Sequence, residues 1–328
     1  MENAYDMITK NLSNYILFDP LKLDVNEFYI ISGYATPNML SWYIKNLYHK
    51  VYSPIRISLI VGMAVFDGIS INAHEGFIQL IRSEKPQEVE KLECSYIFDF
   101  PSVHSNLFIW AKNGIPKIAF TGSANFTQNS FVSHQRQDVM INCNPKAAMN
   151  YYYSLLERSI YIHHAEVEEY IKFYPTHPIL DQENILINKT NKGGDESNKF
   201  ISLSLLTKTG ETGVRSGLNW GHRPGRNPNE AYIPLPHNIA KSGFFPLEKQ
   251  HFTAITDDRH QLILRVEQQN NKAITTPARN SDLGEYFRNR LGLPNGAFVT
   301  RSDLNRYGRT DVAFVKLDEE TYYMDFSS

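Results

Sequence analysis

Between Pro175 and Lys199 the chain passes into sequence that cannot support a core of its own. The stretch contains Pro175, Pro178, Asp181, Gln182, Asn184 and Asn188, then Asn191-Lys192-Gly193-Gly194-Asp195-Glu196-Ser197-Asn198. Polar, glycine-rich segments bury too little apolar surface to offset the entropy of ordering them. The rest of the 328 residues therefore falls into two parts, each of which has to close its own core. A hydrophobic fraction of 42% is enough for both. The expected division is a first domain over 1–175, a boundary segment over 176–199 and a second domain over 200–328. A long surface loop inside one domain is the plain alternative.

The two parts differ in pattern. Phe28 to Ile31 and Ile55 to Val61 are apolar runs, and Met39 to Leu47 between them has helical periodicity. Ile71 to Ile81 reads as a helix and Cys94 to Phe98 as a strand. Strand, helix, strand, helix, strand indicates an α/β arrangement. Leu107 to Trp110 and Ile115 to Phe120 are the next strands, joined by a tight turn at Lys112-Asn113-Gly114. Val139 to Asn142 is another strand, Tyr151 to Tyr161 a helix, and Glu166 to Phe173 a second short helix. Beyond residue 200 the expected strands are Ile201 to Leu206, Ala231 to Leu235, Phe252 to Thr256, Gln261 to Glu267 and Val312 to Leu317. Leu283 to Leu291 is the one helix expected there, closed by Gly292. That is a mostly β, barrel-like domain.

Two cysteines, Cys94 and Cys143, give neither a disulfide framework nor a cysteine-rich zinc site. No span approaches 18 apolar residues and no signal core opens the chain. A soluble cytoplasmic protein without a membrane partner is expected.

Residues His104 to Asn125 carry the chemistry. His104 opens what reads as a buried strand, and Gly122-Ser123-Ala124-Asn125 follows the next one. An imidazole can attack phosphorus and split one difficult displacement into two easier ones. Ser123 and Asn125 can donate to the nonbridging oxygens, and Gly122 lets backbone approach closely. The pattern points to phosphodiester chemistry by a covalent histidine route, with no metal and no cofactor. A structural histidine beside a plain turn is the alternative.

Arginine is distributed unevenly: four precede residue 200 and eleven follow. The stretch Asn219 to Glu230 combines Trp220, Arg223, Arg226, Asn227, Asn229 and Glu230 with repeated glycine and proline breaks. A second loop, Ser302 to Asp311, contains Asn305, Arg306, Tyr307, Arg309 and Asp311. Arginine pairs bidentately with guanine, asparagine with adenine, and Glu accepts from cytosine. Two such arms fit a grip on duplex DNA through the major groove, with Lys241 and Arg279 on phosphates. Solvated surface turns are the alternative for both.

The first part resembles the phospholipase D superfamily, whose hallmark is His-x-Lys followed by Gly-Ser-x-x-Asn or Gly-Ser-x-Asn. His104 matches the histidine; Gly122, Ser123 and Asn125 match the second element; Asp138 matches a later acidic position. The resemblance implies one copy of an α/β phospholipase-D-like fold over about residues 25–160. It implies a homodimer through this domain, with one His104 attacking and the other acting as acid, and Asp138 orienting or polarising a histidine. Asn106 stands where that family has lysine, and so offers a dipole in place of a charge. Either Lys112 or Lys117 supplies the charge, or the site is weakened or inactive. Gly217 to Arg226 and the following Asn-Glu-Ala-Tyr-Ile-Pro-Leu are similar to the C-terminal region of NgoFVII-type restriction endonucleases. That similarity implies a B3-like pseudobarrel, double-stranded DNA as substrate, and the two arms as readers of a short sequence. A separate ATPase subunit is a possible further partner. A DNA-binding protein with a degenerate nuclease domain and a small-phosphodiester hydrolase are the competing readings.

Overall fold

The computed structural model describes residues 7–132, 137–174 and 200–328. The boundary segment 176–199 lies outside the described residues. The chain divides into two compact units, Met1–Asp181 and Gln182–Ser328.

In the first unit the strands are β1 (Met7–Ile8), β2 (Glu27–Ser32), β3 (Ile55–Val61), β4 (Ile69–Ser70), β5 (Val89–Ile97), β6 (Asn106–Lys112), β7 (Ile115–Gly122), β8 (Met140–Cys143), β9 (Ser159–Tyr161) and β10 (Phe173–Tyr174). Among the described residues eight of them form one sheet in the order β1-β8-β7-β6-β2-β3-β5-β9. Strands β2, β3 and β5 run parallel; β6 returns antiparallel to β2 and pairs with β7. β6 is buried along nearly its whole length because helices and loops cover both faces. Its alternation splits the core. Phe108 and Trp110 face one side, where Trp110 stacks on Phe28 at 4.0 Å and its indole N–H donates to the Ile16 carbonyl at 2.9 Å. Leu107, Ile109 and Ala111 face the other, against Met149, Tyr152 and Leu155 of the helix Pro145–Leu156. Truncating Trp110 to alanine would cost about 3–5 kcal/mol.

This helix starts earlier than the sequence pattern suggests. Asn144 caps it by accepting from the Ala147 amide, and Pro145 occupies its first turn. Its expected last residues, Ser159 to Tyr161, instead pair with β5. The short helix expected over Glu166 to Phe173 is only Val167–Tyr170, followed by β10.

In the second unit β11 (Phe200–Ser204), β12 (Ile233–Pro234), β13 (His251–Thr256), β14 (Gln261–Glu267), β15 (Ala273–Thr275), β16 (Asp311–Lys316) and β17 (Thr321–Asp325) form a sheet ordered β11-β16-β17-β13-β14-β15-β12. Its two end strands, β11 and β12, come back together, so the sheet is a nearly closed barrel. Phe245, Phe252, Phe314 and Tyr322 fill it, and the Tyr322 hydroxyl donates to the Phe244 carbonyl at 2.5 Å. The helix Ser281–Arg290 packs Leu283 and Phe287 into the same core.

Candidate functional site

In the first unit the parallel strands β2, β3 and β5 end along one edge of the sheet, and β6 begins there while β7 ends there. Side chains outside the carboxyl ends of parallel strands are where α/β sheets build their sites. The expected residues His104, Asn106, Gly122, Ser123, Asn125 and Asp138 all stand at this edge. His104 is exposed in the segment entering β6. A Cβ on Gly33, just past β2, would lie 3.4 Å from Asn125 Oδ1 and 3.5 Å from the His104 Cα, so His104 and Asn125 flank Gly33. The Tyr34 ring meets the His104 ring edge-on at 5.9 Å, and its amide donates to Asn125 Oδ1 at 3.0 Å. Tyr34 also donates its hydroxyl to Asp67 at 2.5 Å, and that bond raises its pKa, keeping it a phenol.

Ser123 and Asp138 meet each other. The Ser123 hydroxyl donates to Asp138 at 2.6 Å and accepts from the Val139 amide at 3.0 Å. Its proton is committed to the carboxylate, and among the described residues Asn125 is the expected donor whose amide nitrogen makes no such bond. Gly122 is fixed by sterics, since a Cβ there would fall 2.0 Å from the Val139 carbonyl oxygen.

Asn106 behaves differently from its neighbours. It is 3% exposed. Its carboxamide oxygen accepts from the Ser32 hydroxyl at 3.0 Å and the Gly33 amide at 3.1 Å. Its nitrogen donates to the carbonyls of Gly122 at 3.3 Å and Ser123 at 3.1 Å. Both acceptor positions and both protons are used, so nothing remains for a phosphoryl oxygen. Asn106 ties the end of β2 to the end of β7. Lysine could make the two donations but not the two acceptances. Nor do Lys112 or Lys117 supply the missing charge. Lys112 lies at the other end of β6, about 20 Å away at the usual rise per residue, and pairs with Asp24 at 2.8 Å. Lys117 is on the same remote half of β7.

The sequence missed Ser32, Gly33 and Tyr34 as parts of this edge. The available signal was the end of an apolar run at Ser32-Gly33-Tyr34, a strand exit next to a glycine.

In the second unit the expected arm residues divide into outward and inward groups. Arg223 and Asn227 are exposed; Arg223 Nε donates to the Arg215 carbonyl at 2.8 Å, and Asn227 Oδ1 accepts from the Asn229 amide at 2.9 Å. Arg226 lies 4.0 Å over the half-buried Trp220 ring and pairs with Glu230. Asn219, by contrast, is fully buried. Its nitrogen donates to the carbonyls of Gly213 at 3.0 Å and Val299 at 2.8 Å, and its oxygen accepts from the Val299 amide at 2.8 Å. Asn229 is buried too, accepting from the Gly296 amide at 2.6 Å. The arm is therefore partly core, although its polar sequence alone pointed to a loop outside the core.

The second expected loop is mostly a helix, Arg301–Tyr307. Thr300 and Asp303 form a capping box at its start and Gly308, at φ +100°, ends it. Asn305 and Arg306 are exposed on it, with Arg306 paired to Asp303 at 2.6 Å. Tyr307 donates to the Phe326 carbonyl at 2.6 Å; Arg309 pairs with Asp325 at 2.7 Å; Asp311 accepts from Ser202. These three are engaged with the barrel. Arg279 is exposed and pairs with Asp282 at 2.8 Å. Among the described residues there is no cluster of metal-ligating side chains, and no helix is long and apolar enough to cross a membrane.

Two family models match the chain: the NgoFVII restriction endonuclease N-terminal PLD domain over residues 10–169, and the NgoFVII C-terminal B3-like DNA-binding domain over 195–318. The first unit thus has the phospholipase-D-like fold and the second the B3-like pseudobarrel. No curated protein matches. Among solved structures, the chain is similar to NucT from Helicobacter pylori (14% identity, TM-score 0.33, 48% of this chain and 98% of that one). It is also similar to Nuc, a phospholipase D family member from Salmonella typhimurium (12% identity, TM-score 0.33, 48% and 97%).

Proposed function

Because the chain belongs to the NgoFVII restriction endonuclease family through both of its domains, we propose that it is a sequence-specific double-stranded DNA endonuclease. Residues 1–175 form the nuclease domain, 200–328 the recognition domain, and 176–199 join them. His104 attacks the scissile phosphorus, forming an N–P bond as the bond to the leaving oxygen breaks. His104 of a second copy protonates that oxygen. Water then cleaves the phosphohistidine and restores the imidazole. Asn125 holds a nonbridging oxygen; Ser123 and Asp138 brace the turn that carries it. The sequence of events needs no metal ion.

The observation that carries this reading is the exposure of His104 beside Gly33, Tyr34 and Asn125 at the strand-end edge of the sheet. Plasmid cleavage in EDTA tests it. The wild-type chain is expected to cut, and His104→Ala to lose on the order of 10³-fold or more in rate. Cutting that requires magnesium, or that survives His104→Ala, defeats the mechanism. One observation favours a second reading, a DNA-binding protein with an inactive nuclease domain: Asn106 replaces the cation of the motif and has no free donor. Selective retention of duplex DNA without any cutting would establish that reading instead.

A further inference from the structure

Arg288 is among the largest fully buried side chains of the described residues, with 0% exposure. Its guanidinium is spent on backbone. Nε donates to the Ala297 carbonyl at 2.8 Å and Nη1 to the Gly284 carbonyl at 3.1 Å. Nη2 donates to the carbonyls of Leu218 at 3.2 Å and Pro228 at 3.1 Å. Four of its five N–H groups are thereby used. Leu218 and Pro228 bracket the stretch that carries Trp220, Arg223, Arg226 and Asn227. Ala297 lies in the segment leading to the helix Arg301–Tyr307. One planar fork thus joins both ends of the arm to that segment and to the helix Ser281–Arg290.

Two amides repeat the arrangement. Asn219 holds Gly213 and both backbone groups of Val299, and Asn229 holds the Gly296 amide. Glycine permits the packing: a Cβ on Gly284 would fall 1.8 Å from the Asn229 carbonyl oxygen. Among the described residues no carboxylate pairs with the Arg288 guanidinium directly, Glu285 acting on it only at longer range, and burying a charge without a direct partner is costly.

We propose that Arg288 is a positioning residue for sequence readout. It fixes the arm Gly217–Glu230 and the segment Pro294–Val299 as one preset surface before DNA arrives. This rests on the reading that the second unit recognises DNA. A preset arm spares the specific complex the entropy of ordering a loop. Phosphate contacts made without regard to sequence gain nothing from it. Lysine keeps the charge of Arg288 but, as a single point of donors, cannot span carbonyls on three segments.

The test compares the full-length chain with Arg288→Lys on two duplexes, one enriched by the wild type from a random library and a scrambled version of it. The ratio of affinities is expected to fall about tenfold, the discrimination carried by roughly one base pair. Affinity for the scrambled duplex and the salt slope are expected to stay within about twofold, since phosphate contacts remain. An unchanged ratio, or equal losses on both duplexes, overturns the proposal. Should Arg288→Lys fail to fold, hydrogen exchange on the free wild-type chain decides. The amides of Gly221, Gly296 and Val299 are expected to be protected like those of β13. Fast exchange that slows only on adding DNA would show that DNA, and not Arg288, orders the arm. A wild type that enriches no sequence defeats the DNA reading itself, while exchange still reports on the arm.

Discussion

Asn106 and Asn219 perform one physical task in the two units, with different consequences. Each is a buried amide bonded to backbone: Asn106 bridges Gly33 to Gly122 and Ser123, and Asn219 bridges Gly213 to Val299. Asn106 fastens the ends of strands that the sheet already aligns. His104 beside it is left exposed. Asn219 fastens segments that no sheet aligns, and it has Arg288 and Asn229 for company. At the sheet edge Asn106 works beside Ser32 and the Ser123–Asp138 pair on strand ends that the ladder already aligns; in the irregular arm Asn219, Asn229 and Arg288 have no ladder to build on. A polar residue in a functional segment is therefore as often its frame as its working surface.

The comparison breaks most visibly at Asn106→Lys. If Asn106 were merely a lost catalytic cation, lysine would restore cutting at no cost. The structure predicts that it leaves the Gly33 amide unpaired and buries an ammonium, costing about 4 kcal/mol or more by denaturant unfolding, with no gain in cleavage. Asn219→Ala is expected to cost about 3 kcal/mol in the second unit, since it strands the Val299 amide and two carbonyls. A loss under about 1 kcal/mol would show that the arm is not framed from within.

Acid separates the units further. Burial alone would raise Asp325, but bonds from Ser327 and Arg309 outweigh it and hold its pKa below the ordinary carboxylate value; Asp258 is lowered likewise by Thr256 and Arg290. A depressed carboxylate contributes stability that is complete above its unfolded pKa and is lost as pH falls through the folded one. The second unit should thus lose stability below about pH 4, and Asp325→Asn should flatten that limb. Among the described residues of the first unit the lowered carboxylate is Glu90, in an exposed pair with Arg56 that contributes little. Hydrogen exchange against pH would resolve the units, and equal acid sensitivity would contradict the contrast. The smallest stability effect is expected at Arg226→Ala. Its ion pair is at the surface, so stability should change by less than about 1 kcal/mol, while discrimination at one base falls by roughly 1–3 kcal/mol.

Much of the frame was legible. Short apolar runs marked β2, β3, β6 and β7, and Asn113-Gly114, both at positive φ, marked the turn between the last two. The edge residues His104, Gly122, Ser123 and Asn125 were legible because strand exits and glycine leave local marks. The helix Arg301–Tyr307 went unread although Thr300 and Asp303 spell its cap. Polar content argued for a loop, and one buried face carried by Leu304 was too short to oppose it. β17 was passed over for a similar reason: Tyr322 and Met324 alternate correctly, but only over five residues. The inward turn of Asn219 and Arg288 had no local mark at all. Their partners lie 80 and up to 70 residues away, and only the closed barrel brings them together.

Two clamps of the arm grip main chain alone, while Asn229 also donates to Glu285 at 3.3 Å. Asn219 and Arg288 bond to carbonyls and an amide that every residue type presents alike. Substitution at Arg223 or Asn227 leaves those grips intact. On the proposed reading, such a scaffold tolerates drift in a recognised word one letter at a time, and offers the same freedom to anyone redesigning it.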